Sequence, residues 1–388
     1  MSDKTAIAAK MLADIEALLP KFKSRVAQAK ELRRVPDESI QELQDAGFFL
    51  ALQPKAYGGY ELDPQDFFRV QMKIAEACMS TAWASGIIAV HPFQLALMDK
   101  QAQDDVWGDD IHTRVSSSYA PMGKVEPVDG GFKFSGRWGW SSGSQHCTWV
   151  LLGGIIPGEG YRTFLIPKED YVIEDTWQVM GLQGTGSQDI VVEGCFVPDH
   201  RTHKQMDGFN VTTNPGQSAS DAPLYNIPWA QLFVRTVCTA AIGATKHALE
   251  LFITGATGKA SNDPTKLAGD TTTQEVIAKV ANKIDVTEAI MYRNFEKLTE
   301  TVNAGNEIPL IDRVKYRYQS SLVIEECIEA VDLLFNSAGG RSVFLDSPIQ
   351  QCFMDIHIAR AHVANNPTSF ARNYGSMLLG VDNGDFFV

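Results

Sequence analysis

The sequence predicts a mostly α-helical α+β protein in which two helical segments flank a β-rich one. Apolar residues recur at helical spacing up to about residue 112, short alternating segments then run to about residue 205, and long helical patterns return after Pro228. We therefore expect an N-terminal helical domain at 1–113, a central β-barrel or sandwich domain at 114–223, and a C-terminal four-helix bundle at 224–388.

Composition is that of a globular enzyme and excludes several classes of partner. The chain has 388 residues, of which 44% are hydrophobic and 21% charged, and its formal net charge is −13. This acidic excess opposes binding to nucleic acid and to anionic membranes. The start has no signal-peptide layout, no apolar run could span a bilayer, and the six cysteines are scattered without CxxC spacing. We therefore expect a cytoplasmic protein without disulfides or zinc.

The first segment is predicted to be a series of helices. Apolar residues at helical spacing predict interrupted helix over residues 5–52. Asp63-Pro64 predicts a new helix start, because Asp caps helices and Pro is tolerated in their first turn. Ala77–Gly86 is rich in small residues around Trp83, which allows a helix there to approach a neighbouring group closely. His91-Pro92-Phe93 follows, and then an apolar helix to Met98.

The second segment is predicted to be strands, since Gly, Pro and Asp recur at short intervals. The strand candidates are Gly131–Ser135, Thr148–Leu152, Thr163–Ile166, Tyr171–Glu174 and Ile190–Val197. Gly181–Ser187 is a glycine-rich turn, but it precedes a strand and no Lys-Ser/Thr follows, which excludes a phosphate loop. Residues 206–223 are polar and predict a long loop that we interpret as a lid.

Four long helices are predicted in the last segment. They are Trp229–Thr257, Thr273–Ala304, Ile308–Phe335 and Pro348–Val363. Their wide apolar faces predict an antiparallel bundle and an oligomer interface. No GxGxxG motif opens a helix, so reduction by a nicotinamide cofactor is not expected on this chain.

The most informative stretch runs from Phe134 to His146. Alternation predicts a strand through Trp138 and Trp140, and the Gly and Ser residues that follow predict a tight exit from it. Residues two apart in a strand share a side, so both indoles are expected on one face. An aromatic wall beside a small, hydrogen-bonding floor suits a flat heterocycle such as a flavin. A buried Trp pair under an ordinary hairpin is the alternative.

Several motifs resemble those of the acyl-CoA dehydrogenase fold, and in particular the two-component flavin-dependent monooxygenases within it. The matching pieces are Leu32–Pro36, Gln53-Pro54 with Gly58-Gly59, Ser80–Trp83, Ser116–Gly123, Trp138–Gly143, Gly181–Ser187 and Ala361–Pro367. The resemblance covers nearly the whole chain. Its most specific pieces are the Ser-Ser-Gly segment after the Trp pair and the late His segment. Within the family, the nearest resemblance is to oxygenases that hydroxylate secosteroid phenols.

The resemblance implies an oxygenase component. Such a protein binds diffusible reduced FMN or FAD, reacts it with O2 to form a C4a-hydroperoxyflavin, and hydroxylates a small aromatic substrate in aromatic catabolism. The substrate implied here is a phenol, for example a secosteroid phenol. It would be hydroxylated ortho to its own hydroxyl group. A separate NAD(P)H-dependent flavin reductase supplies the cofactor. The fold also implies a homotetramer.

One absence separates the monooxygenases from the dehydrogenases. Acyl-CoA oxidation needs a carboxylate base, whereas the late segment reads Ala364-Asn365-Asn366 here. His362 lies beside it. Removing a phenol proton makes the ring more nucleophilic, and an imidazole can accept that proton, so we predict His362 as the catalytic base. A histidine that only caps a helix end is the alternative.

The resemblance also implies the other site residues. Ser142 is expected at N5 of the flavin as a second catalytic residue, with ordinary turn chemistry as the alternative. The implied cofactor-binding residues are Trp83, Ser117, Ser118, Tyr119, Trp140, Ser141, Gly143, Ser144, Gln145, His146, Thr163, Phe164, Leu165 and Asn365. His91 and Tyr119 are implied for the substrate pocket, and no metal site is expected.

Two positions concern the flavin phosphates and a neighbouring subunit. Lys259 falls where the family usually places an Arg for the phosphate, and Lys keeps the charge but loses the bidentate geometry. Gly340 and Arg341 resemble a loop that reaches the flavin of a neighbouring subunit, while a Gly pair also commonly ends a helix.

Three other functions stay open from the sequence. They are an acyl-CoA dehydrogenase with a relocated base, an indole, indole-acetate, N- or S-oxygenase of the same branch, and a non-catalytic helical scaffold. His362 is less needed where no phenol proton has to be removed.

Overall fold

The N-terminal part of the chain is helical, as predicted. The computed structural model describes residues 3–204, 214–257 and 268–388. The first helices are α1 (Asp3–Ser24), α2 (Val26–Leu32), α3 (Asp37–Asp45), α4 (Pro64–Ala75), α5 (Met79–Ala96) and α6 (Lys100–Trp107). Every residue of α5 is buried, as its apolar and small composition requires. It is therefore a central helix, and it carries Trp83 and His91 into the interior.

The middle of the chain forms one seven-stranded sheet. Its strands are β1 (Val115–Val128), β2 (Gly131–Ser141), β3 (Trp149–Ile156), β4 (Gly160–Pro167), β5 (Val172–Glu174), β6 (Gln188–Pro198) and β7 (Thr202–Lys204). The strand order is β5-β6-β2-β1-β3-β4-β7. The β1–β3 pair is parallel and the other five pairs are antiparallel.

The sheet curves around its own hydrophobic core. Phe134 on β2 stacks on Phe164 on β4 with ring centroids 4.3 Å apart. Three strand spacings separate β2 from β4 along the sheet, which is about 14 Å in a flat sheet. The two rings can meet only because the sheet folds over, with Trp138 sealed in the same core.

The prediction that Trp138 and Trp140 share one face is wrong. Trp138 is fully buried and its indole N–H donates to the Gly153 carbonyl at 2.9 Å, whereas Trp140 is 76% exposed. The β2–β6 register shifts between Trp138 and Ser141, and Trp140 adopts a left-handed φ of 64°. This irregularity breaks the two-residue alternation, so the second indole leaves the core face.

The C-terminal part contains five helices in the described residues, one more than predicted. They are α7 (Trp229–Thr257), α8 (Thr271–Asn303), α9 (Leu310–Ser337), α10 (Pro348–Ala359) and α11 (Pro367–Leu378). The bounds of α7 are those predicted. One hydrophobic core contains side chains of α1, α4 and α5 together with those of α7 to α10, so the two helical segments pack as a single body.

The described part of the predicted lid, residues 214–223, is attached to the protein at its start. Residues 205–213 lie outside the described residues, but Asn214 is buried and the backbone N–H of Gly216 donates to the Leu97 carbonyl at 3.1 Å. His203 and Asn214, which border the undescribed part, are joined by a 2.8 Å hydrogen bond. Within the described ranges, no helix has the length and apolar character needed to cross a membrane.

Candidate active site

Three sequence-predicted residues from distant parts of the chain meet between the sheet and the helices. Trp83 on α5 donates its indole N–H to Ser142 Oγ, just after β2, at 3.2 Å. On its other side, the same indole meets the imidazole of His362 edge-on, with ring centroids 6.1 Å apart. Trp83 thus connects the predicted base to the predicted hydroxyl floor, although 220 residues separate Ser142 from His362 in the chain.

His362 is held in a defined orientation by a local hydrogen bond. It caps the short 3₁₀ turn Val363–Asn365, and its Nδ1 accepts the backbone N–H of Ala364 at 3.2 Å. Because Nδ1 is an acceptor, a neutral ring carries its proton on Nε2. Burial, and secondarily the positive charge of Arg317, lower the pKa of His362 to about 4. The ring is therefore uncharged near neutral pH.

A row of hydroxyl groups lies behind Ser142. Its Oγ is 2.8 Å from Ser187 Oγ, which is 2.7 Å from Thr185 Oγ1, and Thr185 donates to the Leu182 carbonyl at 2.9 Å. The backbone N–H of Gly143 also donates to the Thr185 carbonyl at 2.9 Å. Thr185 and Ser187 belong to a segment that the sequence predicted only as a flexible turn. Their contribution could not be found from it, because the partners lie more than 40 residues apart.

The exit from β2 has features that suit the polar edge of a flavin. The hydroxyls of Ser141 and Ser144 are fully buried, and neither finds a hydrogen-bond partner among the described residues. Gly143 has a φ of +69°, and a Cβ atom there would lie 2.9 Å from the Ile88 side chain on α5. The exposed indole of Trp140 stands beside this turn. Unpaired buried hydroxyls call for a polar ligand, so the residues fit the predicted cofactor.

Aromatic side chains form the neighbouring wall. The Phe233 ring lies 6.1 Å from that of His362 and 4.9 Å from that of Tyr119, and Trp229 packs against it at 5.4 Å. His91 lies 6.2 Å from Tyr119, is fully buried, and neither ring nitrogen has a hydrogen-bond partner in the described part of the chain. The sequence reading missed Trp229 and Phe233, whose helical spacing resembles that of ordinary core residues.

The predicted residues of β1 and β4 take different positions around this wall. Ser118 Oγ donates to the Gly139 carbonyl at 2.7 Å, which ties β1 to the exit of β2, and Ser117 is buried next to it. Thr163 Oγ1 accepts a 3.4 Å hydrogen bond from Gln94 on α5. The side chains of Phe164 and Leu165 lie in two separate hydrophobic cores, so neither reaches the Trp83 and His362 pair.

Asn365 is buried beside the predicted base and ties its turn to the bundle. Its side-chain amide donates to the carbonyls of Val237, at 2.9 Å, and Ala359, at 2.8 Å, while its Oδ1 has no partner in the described residues. His146 turns the other way, with Nδ1 3.3 Å from Asp37 on α3, and burial lowers its pKa to about 4.

The remaining predicted residues are not brought to the cluster. Gln145 is exposed on the turn after Ser144. Gly340 and Arg341 begin a 3₁₀ turn after α9, where Arg341 pairs with Asp346 at 3.0 Å. Lys259 lies outside the described residues, so its predicted role cannot be related to this geometry.

The carboxylates of the bundle are used elsewhere. Glu326 and Glu329 accept hydrogen bonds from Lys283 at 2.7 and 2.6 Å, and Glu325 pairs with Arg360 at 3.3 Å. None of these three glutamates contacts Trp83 or His362 in a described interaction. This arrangement favours a histidine-based site over that of an acyl-CoA dehydrogenase with a relocated glutamate.

Comparison with known families agrees with this geometry. The acyl-CoA dehydrogenase N-terminal domain matches residues 16–104, and the acyl-CoA dehydrogenase C-terminal domain matches residues 235–367. The predicted fold class, with its helical, β and helical parts in that order, is confirmed.

Individual relatives place the chain more narrowly. It is 38% identical over 380 residues to the oxygenase subunit of a flavin-dependent monooxygenase from Rhodococcus jostii strain RHA1, covering 96% of this chain and 99% of that one. It is 30% identical over 375 residues, 93% of this chain and 92% of the relative, to the oxygenase component of the FADH(2)-dependent resorcinol hydroxylase of a Rhizobium strain.

A solved structure gives the same result. The crystal structure of 3-HSA hydroxylase from Rhodococcus sp. RHA1 superposes with a TM-score of 0.94 at 38% identity, over 98% of this chain and 99% of that one. The predicted resemblance to two-component oxygenases is thereby confirmed. The chain belongs to the oxygenase subunits of the flavin-dependent monooxygenases that share the acyl-CoA dehydrogenase fold.

Proposed function

We propose that this protein uses reduced flavin and O2 to hydroxylate a phenol ortho to its hydroxyl group. The observation that carries the proposal is the meeting of a neutral imidazole, His362, with the hydroxyl of Ser142 across the single indole of Trp83. A dehydrogenase needs a carboxylate at such a place, whereas an aromatic hydroxylase needs a group that manages the phenol proton.

The chain's own residues divide into two sets in this proposal. Trp140, Ser141, Ser142, Gly143 and Ser144 hold the flavin at the exit of β2, and a bound reduced flavin supplies the electrons that activate O2. Tyr119 and Phe233 form the apolar wall against which an aromatic substrate packs. The partnerless imidazole of His91 is available for a polar group at the far end of that substrate.

The role of His362 is to act on the substrate oxygen. In the described arrangement Nε2 carries the ring proton, so it donates to a substrate that binds as phenolate. Acting as the predicted base instead requires the 3.2 Å cap bond from Ala364 to be released, which frees Nδ1 to take the proton and Nε2 to accept one. Either action leaves the aromatic ring electron-rich when oxygen is transferred.

The names of the relatives support a more specific proposal for the cofactor and the substrate. A relative named for FADH(2) and resorcinol supports reduced FAD over reduced FMN and a phenol as the substrate class. The 38% identity to a 3-HSA hydroxylase supports a secosteroid phenol among the candidates. An oxygenase component of this kind works with a separate NAD(P)H-dependent flavin reductase, and we propose a cytoplasmic homotetramer.

The test is a single-turnover reaction with the intact protein. The protein is loaded anaerobically with reduced FAD, mixed with O2 and a phenol, and the catechol and hydrogen peroxide formed are measured. The wild type should convert phenol to catechol, whereas His362→Ala should consume oxygen at a similar rate but lose product by a factor of about 100 or more, releasing peroxide instead.

A matched control separates chemistry from folding. His357 lies on α10 near His362 in sequence but pairs with Asp332 at 3.2 Å, so His357→Ala should retain the product yield. Peroxide as the only product of the wild type with every phenol tested would count against aromatic hydroxylation. Reduction of bound oxidised flavin by acyl-CoA would favour the dehydrogenase alternative.

A further inference from the structure

After α11 the chain returns to the aromatic wall of the candidate site. The Phe387 ring meets the Phe233 ring edge-on, with centroids 6.2 Å apart and planes at 75°. Phe233 in turn lies beside His362 and Tyr119, at 6.1 and 4.9 Å between ring centroids. Phe387 is therefore one ring removed from the predicted base and supports the ring against which the substrate is proposed to pack.

The segment that carries Phe387, residues 383–388, is attached to α11 where it begins. It has no regular secondary structure. The Asn373 side chain on α11 donates to Asn383 Oδ1 at 2.7 Å, and its own Oδ1 accepts the backbone N–H of Gly384 at 2.8 Å. One side chain thus determines the direction in which the chain leaves the helix.

The part of the segment that carries the ring is attached to α9. The backbone N–H of Phe387 donates to Asp385 Oδ1 at 2.9 Å, which closes a local turn. The Arg313 guanidinium on α9 donates to the Val388 carbonyl at 2.7 Å, and Val388 is only 3% exposed. The Arg313 carbonyl also accepts the Gln231 side chain on α7, the helix of Phe233, at 3.1 Å. The Phe387 ring is therefore held in place from both sides.

The same segment faces the support of the predicted base. Arg317 on α9 donates to the Ala364 carbonyl at 3.1 Å, in the turn that His362 caps. Burial lowers the pKa of Arg317 to about 10, and the negative charge of Asp385 opposes this shift. Asp385 is thus close enough to stabilise the guanidinium that supports the turn. Residues 383–388 act on both the wall and the base from the side away from the sheet.

We propose that Phe387 is a positioning residue that holds the Phe233 ring against the aromatic substrate, and that it thereby determines the size of the phenols that the site accepts. Packed side chains keep their positions only while the space behind them is filled. The inference rests on the proposed function, because it requires Phe233 to be a wall of the substrate pocket.

The proposal has a consequence that an ordinary packing role does not share. Phe387→Ala leaves space behind Phe233, so the Phe233 ring can turn away from the substrate and enlarge the pocket. A small phenol then loses its contact, whereas a phenol with a bulky apolar substituent gains room. A general packing defect would instead weaken the binding of both phenols to the same extent.

The experiment compares phenol with para-pentylphenol in single turnovers of the protein loaded with reduced FAD. The measured quantity is the phenol concentration that gives half the maximal yield of catechol. In Phe387→Ala the ratio of this concentration for phenol to that for para-pentylphenol should rise by about tenfold, the effect of one aromatic contact. The affinity for reduced FAD should stay that of the wild type.

Two further variants and a control test the same point. Phe387→Leu refills part of the space and should raise the ratio by a smaller factor. Arg313→Ala releases Val388 without changing the ring, and it should shift the ratio in the same direction. Phe353 is a half-buried phenylalanine on α10 that stacks on Phe335 at 4.3 Å, so Phe353→Ala should leave the ratio unchanged.

The outcomes separate this inference from the proposed function. Circular dichroism and thermal unfolding establish that each variant is folded, and Phe387→Leu decides if Phe387→Ala is not. An unchanged ratio in the folded Phe387 variants, with both phenols hydroxylated by the wild type, overturns the positioning role alone. An equal loss of affinity for the two phenols also overturns it. A wild type that hydroxylates neither phenol overturns the proposed function and this inference with it.

Discussion

At the scale of single residues, His362 shows how a backbone contact can determine side-chain chemistry. The N–H of Ala364 occupies Nδ1, and so the turn favours the tautomer that carries its proton on Nε2. The Arg317 guanidinium, which donates to the Ala364 carbonyl at 3.1 Å, also helps to keep the imidazole neutral. Burial is the main reason that the pKa of the ring is low and the ring neutral, and the short turn determines which nitrogen carries its proton.

The lowered pKa of His362 predicts the pH dependence of hydroxylation. With a pKa of about 4, the ring is neutral at higher pH, and it becomes charged only as pH falls through that value. The single-turnover rate of catechol formation should therefore show no histidine inflection between about pH 6 and 8. A rise toward about pH 10 would indicate that the substrate binds as phenolate, since phenols ionise there.

The control for this pH profile is the His362→Ala variant. Its residual rate should follow the ionisation of the substrate alone. An inflection near pH 6.5 that is present in the wild type and absent from the variant would contradict a neutral imidazole at His362.

At the scale of elements, the exit of β2 shows where sequence patterns stop being informative. Alternation placed the strand correctly, but it also placed both indoles on one face, because nothing in a two-residue period reports a register shift. The shift depends on pairing with β6, about 50 residues further along the chain. The same separation hid Thr185 and Ser187, whose glycine-rich surroundings predict only a turn.

The left-handed backbone of Trp140 predicts opposite effects of substitution on stability and on binding. A side chain at φ 64° is strained, and 76% of this one is exposed, so Trp140→Gly should leave the free energy of unfolding unchanged or raise it by up to about 1 kcal/mol. Reduced-flavin affinity should fall by about tenfold if the indole covers the cofactor. Trp138→Ala, in the core, should instead cost about 3–5 kcal/mol. Denaturant unfolding and flavin titration measure both quantities, and an equal loss of stability in the two variants would contradict this assignment.

The Gly181–Ser187 loop is held to α10 by a carboxylate that should make stability depend on pH. Burial raises the pKa of Asp355 to about 6, above the value of about 3.9 in an unfolded chain. A raised pKa means that stability is fully present below about pH 4 and is lost as pH rises through about 6. Asp355→Asn keeps an acceptor for the Leu182 N–H and does not titrate. Between about pH 4 and 7, the wild type should therefore lose about 3 kcal/mol relative to this variant.

Denaturant unfolding across that pH range checks the Asp355 prediction. Asp382 is exposed near the end of the described chain, so Asp382→Asn should follow the wild type at every pH. A constant difference in unfolding free energy between wild type and Asp355→Asn would mean that the buried carboxyl does not change its protonation in this range.

At the scale of the whole molecule, the order of helical, β and helical parts was predictable because each part has its own hydrophobic period. How these parts pack against one another was not predictable from the sequence. A single core joins α1, α4 and α5 to the C-terminal helices, and no local pattern indicates which distant helix covers which face. The helix α11 was not predicted, and only Pro367 of its residues is buried in the single chain.

Exposed apolar residues beside the Gly340-Arg341 turn allow the predicted tetramer to be tested by mutation. Val343, Phe344 and Leu345 are 63%, 53% and 82% exposed in the single chain. Three consecutive exposed apolar side chains favour burial against another subunit. If this turn reaches the flavin of a neighbour, Leu345→Asp should both dissociate the oligomer and weaken flavin binding, because a buried unpaired charge is costly. Light scattering after size exclusion measures the oligomer, and flavin titration measures the affinity.

The control is Ile155→Asp, at an exposed position on β3, which should change neither quantity. A Leu345→Asp protein with wild-type mass and affinity would place the subunit contact elsewhere.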